Sequence, residues 1–549
     1  MSAHLLALSI GPVQSFIAAA RRTRDLWLGS RLLSQISAAA ARAVADGKGK
    51  LIFPHDIPPK DAEGVANIVL AELHGVEPGP LAAAAEKAAL RDWRRIADQV
   101  FDEHRDKIDE GIWRSQSEDV IEFHAAWVPF TEYKNDRARL MRLLAGRKNC
   151  RDFLPGHGRA GVWKSSLDGL RESVLKKSDK SGRGLRLRRG EELDIVGVVK
   201  RVAGGHKPYP SVARVAADPW LRGIADHLGP LDEECRKLGN EVIRRIDIDS
   251  NRLHDDYARF PYDGTAVYRS RHPDIADEAG DPRPDLTDLG KALSVVERIA
   301  KQPDPYLAVL VADGDKMGEA IGNCETPAEN RDLSSRLAAF ASAAHGIVTK
   351  RHGVLVYAGG DDVLAFLPLD EALACARGLY DAFKVEVRGT LSVGVAIGHF
   401  YEDLEDLLDY GRAAEKHAKR DGLAVHLHKR GGAPVLVRRD WHERPDERLM
   451  DHARWFRDDA VSGRIPYELH RLAAVYDDWP DDEARKAALR ADALRVIAKK
   501  NPGGEESRMT DVGDAVGRIV SPDGLRSFAN GLLIARQLAV ALRQSEVKP

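Results

Sequence analysis

Two short acidic motifs carry the residue types that could act on phosphate groups. They are Asp313-Gly314-Asp315, after a continuous apolar run, and Gly359-Gly360-Asp361-Asp362, between two shorter apolar runs. Converging carboxylates repel one another, and hard oxygen ligands of this kind suit Mg²⁺ or Mn²⁺. Two such ions would activate a ribose hydroxyl and stabilise a leaving pyrophosphate. If the motifs meet in space, they predict a nucleotidyl transfer site.

The pattern of strands and helices predicts that the two motifs do meet. The segments that carry the pattern are apolar runs at 307–312, 354–358, 363–367 and 391–397, with helical spacing near 333–347, 370–384 and 404–420. Their order, βαββαβ plus a helix, is the split ferredoxin-like pattern. In this pattern the first and second strands run parallel, so the end of the first lies beside the hairpin that follows the second. We therefore expect all four carboxylates at one edge of a sheet.

The glycines of both motifs fit a phosphate site. Gly314 lets Asp313 and Asp315 face the same side of an extended chain. Gly359 and Gly360 permit positive φ and leave no side chain between the hairpin and a triphosphate. An isolated G-G-D-D segment is also typical of a plain hairpin turn with solvated acids. The D-G-D motif at the matching strand end favours the catalytic interpretation.

Two lysines lie near the end of the helix predicted for about 404–420. Lys416 and Lys419 are one turn apart and share a helix face, and either could reach a triphosphate as a point charge. A solvated helix end, whose cations complement the helix dipole, explains the same spacing. The spacing leaves both interpretations open.

Length and composition bound the class of protein. At ~150 residues per domain, 549 residues correspond to about four domains. The 83 basic and 85 acidic side chains give a net charge of −2, which excludes a polybasic nucleic-acid binder. The four cysteines are far apart, with no C-x-x-C, which indicates buried or incidental thiols in a reducing cytoplasm. With no apolar run of ~18 residues, we expect a soluble cytoplasmic protein.

Changes in composition along the chain divide it into four segments. Residues 1–150 read as an α/β domain, and residues 151–300 are richer in Gly, Pro and charge, with a basic cluster between 176 and 189. Residues 301–430 hold both acidic motifs, and residues 431–549 read as mostly helical. The basic cluster could touch RNA or a partner subunit, or could be a solvated loop.

Ordered motifs along most of residues 1–430 resemble a known family. These segments are Ser9 to Ile17, Arg21 to Ser34, Glu192 to Arg201, Ser211 to Trp220, Leu310 to Gly318 and Tyr357 to Ala365. They are similar to the large subunit of type III-B CRISPR RNA-silencing complexes, Cmr subunit two of the Cas-ten superfamily. The resemblance implies an α+β fold with two ferredoxin-like polymerase/cyclase palm domains, an intermediate α/β domain and a helical C-terminal domain. We expect the palms at 1–150 and 301–430.

The resemblance also implies an activity and partners. When guide RNA pairs with target RNA, the G-G-D-D palm of the family converts ATP to cyclic oligoadenylates, with Mg²⁺ or Mn²⁺. Carried over by motif, Asp313, Asp361 and Asp362 are the metal ligands and catalytic residues. Lys419 matches a phosphate-contacting lysine of related cyclases. Other Cmr subunits, guide RNA and target RNA would be the partners, with no membrane association.

The nucleotide would be cradled by further residues of the same motifs. These are Gly314, Asp315, Gly359 and Gly360 in the second palm, with Gln14 and Ser15 of the first palm near a second ATP.

Two departures from the family pattern matter. Many members begin with an HD nuclease domain, whereas this sequence starts at the first palm, so we expect no nuclease. The dipeptides His55-Asp56 and His254-Asp255 lack the further His and Asp ligands of such a centre. Serines stand at 164–172, where the family often has a cysteine cluster, so we expect no structural zinc.

Two other functions remain open from the sequence. One is a catalytically silent scaffold that positions guide RNA and partner proteins, although the intact carboxylates and glycine hairpin argue against decay. The other is a stand-alone cyclic dinucleotide cyclase of the GGDEF type, which would turn over GTP without RNA.

Overall fold

The computed structural model describes most of the chain. The described residues are 3–57, 64–150, 159, 161–176, 185, 187, 190–203, 209–248, 252–279, 282–500 and 506–546, with no side chains described for 500 and 506–511. Of the basic cluster between 176 and 189, Lys176 is the only described cation; Lys177, Lys180, Arg183, Arg186, Arg188 and Arg189 lie outside the described residues.

The N-terminal segment forms a four-stranded antiparallel sheet with helices. Its elements are β1 (Ala3–Gly11), α1 (Gln14–Ala18), α2 (Thr23–Asp46), β2 (Lys50–Phe53), β3 (Ile68–His74), α3 (Pro78–Glu103), α4 (Glu110–Ser117), β4 (Glu122–Pro129) and α5 (Tyr133–Asn149). The strand order is β2-β3-β1-β4, which is the order that a split βαββαβ unit gives. Alternate side chains of β1 face two different layers, with Leu6 and Leu8 against α2 and α3 and Leu5 in the core shared with the second sheet.

The described part of the middle of the chain contains helices joined by turns and irregular segments. Its α-helices are α6 (Ile195–Val202), α7 (Val212–Gly223), α8 (Gly229–Leu238), α9 (His272–Ala279) and α10 (Thr287–Ala300), with 3₁₀ turns that include Asp255–Arg259. Between 159 and 300 the described residues form isolated β-bridges but no strand. The described part of the expected intermediate α/β domain therefore contains helices and isolated bridges but no strand. Helix α6, I-V-G-V-V-K-R-V, has eight buried residues, and a β-branched run this short is equally typical of a buried strand.

The second sheet has six strands and contains both acidic motifs. The elements are β5 (Tyr306–Gly314), α11 (Met317–Gly322), α12 (Pro327–Lys350), β6 (Val354–Gly359), β7 (Asp362–Leu367), α13 (Leu369–Glu386), β8 (Leu391–His399), α14 (Leu404–Ala418), β9 (Gly422–Leu427) and β10 (Val435–Asp440). The order is β10-β9-β8-β5-β7-β6. Four of these strands, β8-β5-β7-β6, repeat the arrangement of the first sheet.

The second sheet extends beyond the segment predicted for it. Strand β9 pairs in parallel with β8, and β10 pairs antiparallel with β9 from Val435 to Asp440. Residues after 430 were expected to be mostly helical. The strand was missed because Val435–Asp440 ends in Arg-Arg-Asp and buries Val437 alone of its six residues, which leaves a weak alternating pattern.

The C-terminal helices pack on the side of the second sheet that α13 covers, against α13 itself and the outer strands β9 and β10. They are α15 (Pro445–Arg457), α16 (Ile465–Val475), α17 (Glu483–Lys500), α18 (Glu506–Gly517) and α19 (Pro522–Ser545). Leu532 and Leu538 of α19 belong to the same apolar core as Leu310 of β5. Within the described residues, no helix combines the length and the apolar character needed to cross a bilayer.

The middle helices cover the other side of the second sheet. Trp220 of α7 shares a core with Leu307 of β5 and Val356 of β6. A chain of ion pairs also joins α7 to α13, because Arg222 of α7 binds both Asp218 of α7 and Asp370 of α13, each at 2.7 Å. Strands β5 and β6 are thus held from both faces, which fixes the sheet edge where the acidic motifs lie.

Candidate active site

The structure brings the ends of β5 and the β6–β7 hairpin together. Ala312 of β5 pairs with Val363 of β7, and Gly359 pairs with Asp362 across a two-residue turn. A methyl group built on Gly314 would lie 2.8 Å from Cβ of Asp361. A side chain at 314 would therefore push the two motifs apart, and glycine is needed for this close approach.

Gly359 and Gly360 of the hairpin are each required to be glycine, for different structural reasons. Gly360 has φ +69°, a conformation that costs a residue with a side chain about 1 kcal/mol or more. A methyl group on Gly359 would lie 2.2 Å from the hydroxyl of Tyr357, and that hydroxyl donates a hydrogen bond to the Gly359 carbonyl at 3.3 Å. The turn leaves its outer surface bare, as expected for a backbone that a phosphate approaches.

Asp313, Asp361 and Asp362 form one cluster of carboxylates. Loss of contact with water and the charge of Asp313 raise the pKa of Asp361 from 3.8 to about 6. Asp362 lies at the solvent-facing start of β7. Desolvation, the charge of Asp361 and a hydrogen bond with Asp313 still raise its pKa. Asp361 and Asp362 are thus held where their ionised forms are disfavoured, and a divalent cation would relieve this repulsion.

Lys419 provides a cation at the cluster. Its ammonium group donates a hydrogen bond to Asp313 and pairs with Glu415 at 2.8 Å. Burial opposes the charged form, but these two carboxylates outweigh it and raise the pKa of Lys419. Lys416 is exposed and one turn earlier. The structure thus places Lys419, and not Lys416, beside the acidic motifs.

Asp315 is engaged differently from Asp313. Its carboxylate accepts hydrogen bonds from the Thr390 and Ser392 hydroxyls, at 2.9 and 2.7 Å, and from the backbone N–H groups of Arg420 and Asp421, at 3.2 and 2.9 Å. Arg420 and Asp421 both have positive φ. Asp315 therefore holds the sharp turn that immediately follows Lys419, and its contacts position that lysine.

Glu415 belongs to the site but was not singled out from the sequence. It is 8% exposed and lies on α14 one turn before Lys419. Helix α14 can lie this close to the sheet because β8 has glycine at 394, where a methyl group would be 2.0 Å from the Glu415 nitrogen. The available signal was the Glu-to-Lys spacing of four residues, which pairs opposite charges on one helix face.

The remaining residues proposed from the sequence lie elsewhere. Gln14 and Ser15 begin α1 and are exposed. The backbone nitrogen of His55 donates a hydrogen bond to the Ser334 hydroxyl at 2.9 Å, so this segment contacts α12. His254 and Asp255 lie at the start of the 3₁₀ turn Asp255–Arg259.

Two family models match separate parts of the chain. Residues 306–424 match "Cas10/Cmr2, second palm domain", and residues 5–103 match "CRISPR-associated protein Cmr2, N-terminal". The first match spans the six-stranded sheet up to β9 and contains the carboxylate cluster. The fold and the site thus define a palm-domain protein. The chain belongs to the Cas10/Cmr2 family, as the sequence motifs predicted.

Relatives and solved structures support this placement. The CRISPR system Cmr subunit Cmr2 of Pyrococcus furiosus is 24% identical over 560 residues, covering 80% of this chain and 63% of that protein. The chain thus spans less than two thirds of this relative's length. A subunit of the apo type III-B Cmr-beta complex matches with TM-score 0.64 and 13% identity, over 91% of this chain and 77% of that chain. The same complex bound to cognate target RNA gives TM-score 0.63 and 12% identity, over 91% and 79%. These two structures show a shared fold.

Proposed function

We propose that this chain is the large subunit of a type III-B CRISPR effector complex and synthesises cyclic oligoadenylate from ATP when target RNA is bound. The observation that carries the proposal is the cluster of Asp313, Asp361 and Asp362 in a sheet of the matched palm family. Membership of the family supports the complex as its setting. The catalytic step would be attack of a 3′-hydroxyl of one ATP on the α-phosphate of another, with release of pyrophosphate.

The donor set fits Mg²⁺ or Mn²⁺. Asp313, Asp361 and Asp362 offer hard oxygen ligands with room for water and phosphate oxygens, as these ions prefer. The raised pKa values of Asp361 and Asp362 support this fit, because the cluster lacks enough positive charge without a cation. When bound, the ions would lower the pKa of the attacking hydroxyl and stabilise the charge on the leaving pyrophosphate.

The chain's own side chains would then bind and orient the nucleotide. Asp313 can pair with a metal ion instead of Lys419, which frees the Lys419 ammonium to contact the triphosphate. Glu415, the second carboxylate that pairs with Lys419, would keep this lysine near the site. Asp315 holds the turn after Lys419 in place throughout. The bare hairpin at Gly359 and Gly360 would let the triphosphate approach the backbone.

We further propose that the first sheet, in the N-terminal segment, is also a palm domain and that it frames the attacking ATP. Its strand order matches that of β8-β5-β7-β6, which supports a common origin of the two units. The units also approach each other near the hairpin: Gly64, with φ +89°, is so close that a methyl group on it would lie 2.9 Å from the Ala358 carbonyl oxygen. Gln14 and Ser15 are the exposed candidates for contacts with that ATP.

Partners follow from the same proposal. Guide RNA, target RNA and the other Cmr subunits would surround this chain in the cytoplasm. A net charge of −2 supports a subunit whose guide RNA is held largely by its partners, because overall charge alone would not bind a polyanion.

An assay of the assembled complex tests this function. The complex is incubated with ATP and Mn²⁺, with and without matching target RNA, and products are identified by mass spectrometry. We expect cyclic oligoadenylates that depend on target RNA. A complex that assembles but yields no such product would indicate the silent scaffold, and turnover of GTP without RNA would indicate a stand-alone cyclase.

A further inference from the structure

A second group of metal-binding side chains lies outside the carboxylate cluster. His254 and Asp256 belong to the 3₁₀ turn of the middle segment, and His352 lies in the turn between α12 and β6. One donor atom from each lies within 4.8 Å of the other two. Oδ2 of Asp256 is 3.4 Å from Nδ1 of His254 and 3.0 Å from Nε2 of His352. The fold thus brings His254 and His352 together around one carboxylate oxygen, although they are 98 positions apart in the sequence.

These distances suit a tetrahedral ion. Zinc binds imidazole nitrogen and carboxylate oxygen at about 2.0–2.2 Å, which places neighbouring ligands of a tetrahedron about 3.3–3.6 Å apart. The separation of 3.4 Å lies within that range, and the separation of 3.0 Å is slightly shorter. Two imidazoles with one carboxylate are also a zinc donor set, whereas Mg²⁺ prefers oxygen ligands alone.

His352 has a backbone conformation that is unfavourable for a residue with a side chain. His352 follows the C-terminus of α12 with φ +56°, a conformation in which glycine or asparagine is the usual residue. The side chain is 11% exposed and its ring centre is 3.7 Å from that of His254. Strained backbone at a cluster of ligand-type side chains is a common mark of a functional site.

Neighbouring residues hold the three side chains in place. Arg259 pairs with the other oxygen of Asp256, Oδ1, at 3.2 Å, which turns Oδ2 toward the two histidines. The Tyr257 hydroxyl donates a hydrogen bond to the His352 carbonyl at 3.2 Å. Such outer contacts orient metal ligands in known sites. His254 and Asp256 each remain about one-third exposed, which leaves an open side for water as a fourth ligand.

We propose that His254, Asp256 and His352 bind one Zn²⁺ ion that clamps the middle segment to the second palm. The site lies at the opposite end of β6 from the G-G-D-D hairpin, a strand of six residues or about 20 Å. It is therefore separate from the carboxylate cluster and does not depend on the nucleotide chemistry. The sequence predicted no structural zinc because serines stand at 164–172, where the family often has cysteines. The site proposed here is a different one, because its ligands lie in two other segments of the chain.

The experiment uses the full chain without an affinity tag. After dialysis against a chelator, Zn²⁺ is titrated by calorimetry, bound zinc is counted by elemental analysis, and the thermal midpoint is measured with and without Zn²⁺. The test variants are His352→Asn, which keeps a residue suited to positive φ, and Asp256→Asn, which keeps the side-chain volume. His442→Ala is the matched control, because Asp440, His442 and Glu443 form another cluster with metal-ligand spacing.

We expect one zinc per wild-type chain, a higher thermal midpoint with Zn²⁺, and loss of both in His352→Asn and Asp256→Asn. His442→Ala should bind zinc like the wild type, and so should Asp361→Ala/Asp362→Ala. The proposal is overturned if wild-type protein binds no stoichiometric zinc, if folded His352→Asn and Asp256→Asn bind it as well as the wild type, or if His442→Ala loses it. In the first case Oδ2 of Asp256 would simply accept a hydrogen bond from Nε2 of His352, while Nδ1 of His254 accepts one from the Asp256 backbone N–H at 3.2 Å.

Discussion

Replacing Asp361 with asparagine should stabilise the metal-free protein at neutral and higher pH. The folded state raises the pKa of Asp361 from 3.8 to about 6 because the side chain loses water and lies beside Asp313. Asparagine keeps the shape and removes the charge. A group that is hard to ionise in the folded state opposes folding once the pH exceeds its unfolded pKa.

The size and pH window of the effect follow from these values. Below about pH 4 both states hold the proton, so Asp361→Asn should be neutral there. Between about pH 4 and 6 the wild type loses stability as the pH rises, and above about pH 6 the loss is complete. The rise from 3.8 to about 6 corresponds to at most about 3 kcal/mol. Because Asp361 is partly exposed, solvent screening reduces this to roughly 1–2 kcal/mol.

Thermal melts of the full chain in chelator, at several values between pH 4.5 and 8, measure the effect. The quantity compared is the midpoint of Asp361→Asn minus that of the wild type, so that other titrating groups cancel. We expect about one third of the full difference at pH 4.5 and a gain of about 1–2 °C at pH 8 for a chain of this length. The control is Asp478→Asn at an exposed turn, which should show no trend. Added Mg²⁺ should raise the wild-type midpoint at pH 8 and narrow the gap.

Two results would refute this reasoning. One is an equal or lower midpoint for Asp361→Asn at pH 8, which would mean that the charged carboxylate is well accommodated without metal. The other is a gain that is already full at pH 4.5, which would assign the stabilisation to packing and not to ionisation.

Two further substitutions test other parts of the site. Lys419→Met should raise the KM for ATP of the assembled complex about ten- to hundredfold, since a charge-assisted contact to phosphate contributes about 1.5–3 kcal/mol; Lys416→Met is the matched control, and equal effects of both would contradict the assignment. Gly394→Ala should destabilise the fold by about 2–3 kcal/mol or more, because its methyl group would lie 2.0 Å from the Glu415 nitrogen. In the same thermal melts Gly346→Ala, on an open helix face, should stay within about 1 kcal/mol of the wild type, and a comparable loss in both would refute the close contact.

The second sheet was largely predictable from the sequence because its signals are local. The apolar run before Asp313 and the glycine hairpin each mark a strand end, and the βαββαβ order then fixes which ends meet. Strands β5 to β8 form as the runs at 307–312, 354–358, 363–367 and 391–397 indicated. The juxtaposition of Gly314 and Asp361 follows from topology alone.

Side-chain roles within the site were harder to predict. The alternation of side chains in an extended segment predicted that Asp313 and Asp315 face one side. Asp315 instead accepts hydrogen bonds from the hydroxyls of Thr390 and Ser392, which lie 75 and 77 residues later in the chain. Local spacing does not reveal such long-range partners. The sequence also predicted that Lys419 contacts a phosphate, whereas in the structure its ammonium group pairs with Asp313.

The middle segment was the least predictable part. Helix α6 is a buried β-branched run of eight residues, and its length and composition fit a strand as well as a helix. The His254, Asp256 and His352 group joins two segments separated by most of a domain. In the sequence, His254 stands beside Asp255 as an H-D dipeptide. In the structure the carboxylate near its imidazole is that of Asp256.

The most direct test of the central claim compares wild-type complex with complex carrying Asp361→Ala/Asp362→Ala. Both are supplied with ATP, Mn²⁺ and matching target RNA, assembly is checked by size and subunit content, and cyclic oligoadenylate is quantified by mass spectrometry. We predict normal assembly and no cyclic product from the variant. Product at the wild-type level from the assembled variant would contradict the assignment of the carboxylate cluster as the catalytic site.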